Sequence, residues 1–170
     1  MLILALDSSA TTATVSILDN GVPVASSHIY DKLPHSEKLL PMIDSLLNFI
    51  HKRVEDIDLI ALSAGPGSFT GVRIGVSCAK GLSFSRDIPI APVSTLEALA
   101  YNLRLFSEKG GEKLIVCPCM DARRNELYNA VFEYDGAVFT RLTEDRAISC
   151  EELEARRMQH PLLPQAYIVR

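Results

Sequence analysis

The apolar and polar positions of the first thirty residues predict three strands joined by tight turns. Leu2 to Leu6 is a continuous apolar run, which is typical of a buried strand. Thr12 to Leu18 is rich in β-branched residues, and a third strand over Val22 to Tyr30 follows the turn signal Asp19-Asn20-Gly21. The chain is therefore expected to open with an antiparallel meander.

Helices and strands then alternate. Apolar residues recur at helical spacing at Leu39, Ile43, Leu46 and Ile50. The next predicted elements are a strand, a helix rich in small residues, a second strand and a helix N-capped by Ser94; they cover Ile57–Ser63, Val72–Phe84, Ile88–Val93 and the residues after Ser94.

The polar, glycine-containing segment Lys109 to Glu112 predicts the boundary between two lobes, residues 1–108 and 109–170. After it we expect strands, and then a short helix capped by Ser149; the strands cover Leu114–Met120, Glu126–Tyr134 and Ala137–Leu142. This order predicts a mixed α/β fold with five strands in the first lobe and an abbreviated second lobe.

Composition and charge narrow the function classes. Of the 170 residues, 48% are hydrophobic and 22% are charged, as in a globular protein, and a net charge of −4 disfavours a stand-alone nucleic-acid binder. No apolar run reaches the roughly 20 residues of a membrane span, and no basic region precedes Asp7. The expected location is therefore the cytoplasm, where Cys117 and Cys119 are interpreted as reduced strand residues.

Two turns contain residues suited to phosphate chemistry. Asp7, Ser8 and Ser9 can hold a hydrated cation or contact phosphate oxygens, or they can form a turn that satisfies its own backbone. The segment Gly65 to Gly71 can bind an anion at a helix N-terminus, or it can let helix and strand pack closely. It contains Gly65, Gly67, Ser68, Thr70 and Gly71, and it matches neither a Walker A loop nor the dinucleotide fingerprint.

His35 offers no local metal site. A second ligand on the same helix face would stand three or four positions later, where the chain has Lys38 and Leu39. A capping or interface role for His35 is therefore favoured, and no metal is expected.

The motifs resemble the TsaB (YeaZ) family. The resemblance rests on Ile3 to Ser9, His35-Ser36-Glu37, Gly65 to Gly75, Val93 to Leu96, and Asp121 to Arg124 with Glu126 and Tyr128, in that order along residues 1 to about 134. It implies an actin-like (ASKHA, ribonuclease H-like) fold. It also implies a non-catalytic subunit for threonylcarbamoyl modification of the adenosine beside the tRNA anticodon.

The resemblance further implies partners. TsaD, the transferase, would be the main partner, TsaE would join the pair, and tRNA would be contacted only through the complex. TsaD proteins carry a His-x-x-x-His metal pair, whereas this chain has Leu39 at the second position. In this family the first-lobe helices bind TsaD or, when TsaD is absent, a second copy.

The expected interface lies on those two helices, and its alternative is that both apolar stripes face their own sheet. The interface residues are His35, Leu39, Leu40, Ile43, Leu46, Arg73, Val76, Ala79 and Lys80.

The chain departs from the family in its second lobe. The segment Pro164 to Arg170 resembles the end of longer family members but follows directly on the helix near residue 158, so the second lobe is expected to be shortened. No cofactor is expected to be required, with weak ATP or ADP binding left open. The rival function is an ASKHA-type ATPase or small-molecule kinase that uses Asp7 and the Gly65–Gly71 turn.

Overall fold

A five-stranded sheet forms the centre of the first of two units in the computed structural model, which describes residues 1–31, 34–84, 86–104, 113–159 and 167–169. Its order is β3-β2-β1-β4-β5, with β1 antiparallel to β2, β2 antiparallel to β3, and β1 parallel to β4. The strands are β1 (Leu2–Asp7), β2 (Thr12–Asp19), β3 (Val22–Tyr30), β4 (Leu59–Gly65) and β5 (Ile90–Ser94). The predicted meander and the five-strand first half are confirmed.

Two helices among the described residues belong to this unit. A 3-10 turn at His35–Glu37 precedes α1 (Leu39–Phe49), a second 3-10 turn spans Val54–Asp56, and α2 (Phe69–Phe84) follows β4. Helix α2 begins one turn before the predicted start because the Ser68 hydroxyl caps it, accepting a hydrogen bond from the Gly71 N–H at 3.3 Å.

The second unit contains α3 (Thr95–Tyr101), α4 (Cys150–Gln159) and a second sheet. The strands are β6 (Leu114–Arg123), β7 (Glu126–Asn129), β8 (Phe132–Tyr134), β9 (Phe139–Arg141), β10 (Arg146–Ser149) and β11 (Tyr167–Val169). Strands β7 and β8 both pair antiparallel with β6. Strand β10 pairs antiparallel with β7, strand β9 pairs antiparallel with β8, and strand β11 lies parallel to β6. The predicted strand Glu126–Tyr134 is thus interrupted, where the Val131 carbonyl accepts hydrogen bonds from Leu142 and Thr143.

The units are Met1–Val93 and Ser94–Arg170, so the division falls before α3 and not at the expected segment. The reason is that Leu96 and Ala100 of α3 pack against Val116 and Phe132 of the second sheet. Residues 109–112, where the boundary was expected, lie outside the described residues. Within the described ranges, no helix combines the length and apolar character needed to cross a membrane.

Helix α2 packs in close backbone contact against the turn between β1 and β2. A Cβ on Gly71 would overlap the Ser8 carbonyl oxygen, and a Cβ on Gly75 would lie 2.6 Å from the Ser8 hydroxyl. Gly81 in the same helix has open space where its Cβ would be. The two buried glycines are therefore required by packing, whereas Gly81 is not.

A polar network around Asn129 connects strands β6, β7 and β10 of the second sheet. Asn129 is fully buried, and its Oδ1 accepts hydrogen bonds from Nε and Nη2 of Arg146 at 2.9 and 2.8 Å. Its amide nitrogen donates to the Ala130 carbonyl at 3.2 Å and contacts the Cys117 sulfur. Arg146 is half-buried, and burial, followed by the nearby Arg156, lowers the pKa of its guanidinium. The two hydrogen bonds to Asn129 replace some of its contacts with water.

The Gly71→Ala substitution is expected to lower the free energy of unfolding by about 1–3 kcal/mol, because the added methyl overpacks the Ser8 backbone. The matched Gly81→Ala change should raise it by about 0.5–1 kcal/mol, because alanine is the better residue in an open helical position. Urea unfolding followed by circular dichroism measures both. Equal effects of the two substitutions would contradict the packing role of Gly71.

The Asn129→Leu substitution is expected to cost about 2–3 kcal/mol of unfolding free energy, because Arg146 keeps its place with its acceptor removed. The double variant Asn129→Leu with Arg146→Met should recover most of the loss. Asn102→Leu, at an exposed position, is the control for the same change of side chain. A loss under about 0.5 kcal/mol for Asn129→Leu would show that the network is dispensable.

Candidate functional site

The turn between β1 and β2 uses its own polar groups. Asp7 Oδ1 accepts hydrogen bonds from the Ser9 N–H at 2.8 Å and the Ser9 hydroxyl at 2.7 Å. The buried Ser8 hydroxyl donates to the Gly71 carbonyl at 2.8 Å. This arrangement is that of a self-satisfied Asx-type turn.

The glycine-rich segment holds this turn in place. Gly65 has φ +112°, which favours glycine, and the Gly65–Pro66 peptide bond is cis. The Ser68 N–H donates to the Ser9 carbonyl at 2.7 Å, and a Cβ on Gly67 would lie 2.5 Å from that same oxygen. The two turns predicted as phosphate-binding elements are thus brought together, but they bind each other. This geometry favours the packing interpretation over the anion site.

Thr70 lies apart from this contact. It is exposed in the first turn of α2, while the buried Gly71 beside it faces Ser8 in the turn between β1 and β2. Thr70 therefore does not join the other residues expected at the phosphate-like site.

His35 contacts the turn between β1 and β2. Its Nε2 lies 2.8 Å from the Ala10 carbonyl oxygen, and Leu39, four positions later, is buried in the core. The part of the chain that the structure describes has no cluster of three or more His, Cys, Asp or Glu side chains that could hold a metal ion.

The apolar stripes of the two helices divide between core and surface. Leu39, Ile43 and Ala79 are only 1%, 2% and 0% exposed, because they pack into the first unit's core with β1 and β2 residues. The expectation that these three residues lie at a partner interface is therefore corrected. Leu46 and Val76 are half-buried and pack at the edge of that core.

The remaining interface candidates are accessible. Leu40 is 53% exposed, and Arg73 and Lys80 are exposed on the outer side of α2. His35 is half-buried in the 3-10 turn before α1. Part of the expected interface is therefore available to a partner.

Leu40 and Arg73 line a groove of about 510 Å³ between the start of α1 and the start of α2, which we call the α1–α2 groove; His35 and Lys80 do not line it. It is lined by Ser36, Leu40, Phe69, Arg73, Ser77 and Cys78, among others. The sequence interpretation missed Phe69, although it is 70% exposed and its ring centroid lies 3.6 Å from the Arg73 guanidinium carbon. Their spacing of four residues on a helix was the available signal.

The groove contains one thiol. Cys78 is half-buried, and burial raises the pKa of its thiol. Its thiolate fraction at neutral pH is therefore smaller than that of an exposed cysteine, which slows its reaction with alkylating reagents.

The chain is similar to proteins that are named for the modification of tRNA. The family model of TsaD, described as tRNA N6-adenosine threonylcarbamoyltransferase, matches residues 32–166. The Bacillus subtilis (strain 168) tRNA threonylcarbamoyladenosine biosynthesis protein TsaB is 38% identical over 148 residues, which cover 87% of this chain and 62% of that protein. The Escherichia coli (strain K12) protein of the same name is 31% identical over 94% of this chain and 67% of its own length.

A solved structure agrees. YeaZ from Pseudomonas aeruginosa superposes with a TM-score of 0.76 at 31% identity, covering 88% of this chain and 68% of that one. The expected fold class is thereby confirmed. The chain spans about two thirds or less of the length of these two curated relatives. The chain belongs to the TsaB (YeaZ) family.

Proposed function

We propose that the chain acts in tRNA threonylcarbamoyladenosine synthesis as a non-catalytic subunit that binds TsaD through the α1–α2 groove. The names of its relatives support a role in this biosynthesis. The choice of docking surface rests on the groove itself, where the side chains of Leu40 and Phe69 are more than half exposed and Arg73 stacks on the Phe69 ring. Large apolar side chains clustered around an arginine are typical of interface centres.

The non-catalytic role is supported by the polar residues of the first unit. The carboxylate of Asp7 and the N–H of Ser68 already have partners within the two turns. Leu39, at the position of a second metal-binding histidine, is an apolar core residue. We therefore propose that no cofactor is required and that the turns are structural remnants of a phosphate site.

The proposal also assigns the other partners. TsaE joins the chain and TsaD in the cytoplasm, and tRNA is contacted only through the complex. A second copy of the chain occupies the groove weakly when TsaD is absent, so self-association and TsaD binding compete.

The Leu40→Glu substitution is expected to weaken binding to the cognate TsaD about tenfold or more, because it places a carboxylate on an apolar contact. Isothermal titration calorimetry measures the affinity, and circular dichroism checks the fold. Tyr30→Glu is the matched control, since Tyr30 is also exposed but lies on β3 and is not among the residues that line the groove.

Absence of binding by the folded wild-type chain would overturn the proposal. Equal affinities of Leu40→Glu and Tyr30→Glu would leave TsaD binding in place but remove it from the groove.

Cysteine labelling offers a second test in the native protein. TsaD is expected to slow alkylation of Cys78, which lines the groove, and to leave Cys150, which is exposed in the second unit, unchanged. Labelling should be done above neutral pH, because the raised pKa of Cys78 makes its thiolate scarce at pH 7. Mass spectrometry of the two peptides gives both rates. Protection of Cys150 alone would place the contact on the second unit.

A further inference from the structure

The outer side of α2 is basic and aromatic. Five residues at spacings of four, four, three and four are all exposed: Phe69, Arg73, Ser77, Lys80 and Phe84. No Asp or Glu occurs between Phe69 and Phe84, although the whole chain has 21 acidic and 17 basic residues. A helix face that holds two cations and no acid in an acidic chain is a local reversal of charge.

Arg73 is the cation inside the groove. Its guanidinium stacks on the Phe69 ring, with its central carbon 3.6 Å from the ring centroid, and it forms no ion pair with an acid among the described residues. Stacking covers one flat side of a guanidinium but leaves its N–H edge free to donate hydrogen bonds. The side chain is thus held in place, which reduces the conformational entropy lost when an acceptor binds.

The groove around this edge is apolar. Leu40 and Phe69 both line it with Arg73, and Ser36 and Ser77 supply small hydroxyls nearby. A carboxylate matches the guanidinium edge with two parallel hydrogen bonds, and the site would exclude part of the surrounding water.

We propose that the α1–α2 groove receives an acidic side chain from an otherwise apolar helix of TsaD, with the carboxylate bound to Arg73 and the apolar neighbours packed against Leu40 and Phe69. This inference rests on the proposed function and adds the chemistry by which the partner is recognised. It makes Arg73 the residue that distinguishes TsaD from other apolar surfaces.

A second copy of the chain matches this groove poorly. In a symmetric pair the basic face of α2 would meet an equally basic region of its copy, and like charges at short distance oppose association. The nearby acids on the α1 side are Glu37 and Asp44, and the Asp44 carboxylate already accepts a hydrogen bond from Asn48 at 3.1 Å. Glu37 is exposed next to the groove residue Ser36, so a second copy offers one acid against the two cations of this face, and the charge pattern favours a more acidic partner helix over self-association.

Charge reversal at Arg73 tests the proposal. The wild-type chain, Arg73→Glu, Arg73→Lys and the control Arg86→Glu are titrated into TsaD by calorimetry at low and high salt. Arg86 is exposed beyond the end of α2, outside the groove, so its reversal makes the same change in net charge. Because both arginines are exposed, thermal melting should show that all variants fold.

We expect Arg73→Glu to weaken TsaD binding at least about tenfold and Arg73→Lys to fall between it and the wild type, since lysine keeps the charge but loses the planar stack. Arg86→Glu should stay within about twofold of the wild type. Salt should weaken the wild-type complex more than the Arg73→Glu complex. Self-association, followed by light scattering, should not weaken in Arg73→Glu.

Each other outcome is decisive. If the wild type binds TsaD and Arg73→Glu binds equally well, the acidic contact is wrong while the proposed function stands. If Arg73→Glu loses self-association but keeps TsaD binding, a second copy is the occupant and the inference is overturned. If the folded wild type does not bind TsaD, the proposed function falls and the inference falls with it.

Discussion

The backbone contact between α2 and the β1–β2 turn fixes the arrangement of the first unit. Ser8 and Ser9 lie buried against the start of the helix, where their hydroxyls and carbonyls bind Gly71, Asp7 and Ser68. Such an approach is open only to glycine at the points of contact. It also consumes polar groups that an open phosphate loop would leave for a ligand, so here the glycine-rich segment acts in packing.

That contact determines which helix faces remain for a partner. With Gly71, Gly75 and Ala79 turned toward the sheet, the opposite side of α2 must face outward, and it carries Phe69 and Arg73. Helix α1 is divided in the same way, because Leu39 enters the core while its neighbour Leu40 borders the groove. The packing of the unit therefore determines which side chains of the two helices stay exposed.

Features set by local sequence were predictable, and features set by distant contacts were not. The meander, and the caps at Ser94 and Ser149, follow from residues within a few positions of each other. Strand β10 and the break between β7 and β8 depend on pairing between strands that are distant in sequence, and a local sequence pattern does not indicate such pairing. The glycine segment stood out in the sequence, but its packing role became visible only with its contact partner Ser8. The apolar stripe containing Leu39 could not be divided into core and surface residues without knowing where the sheet lies.

Hydrogen–deuterium exchange of the chain, alone, with TsaD and with ATP, distinguishes a docking subunit from a nucleotide-binding one. We expect TsaD to slow exchange in peptides from residues 36–49 and 69–81 and to leave residues 114–134 unchanged. We expect ATP to change exchange neither in the β1–β2 turn nor in residues 65–68. Slowing by ATP at those two turns, with no effect of TsaD on the helices, would contradict the account and point to nucleotide chemistry in the first unit.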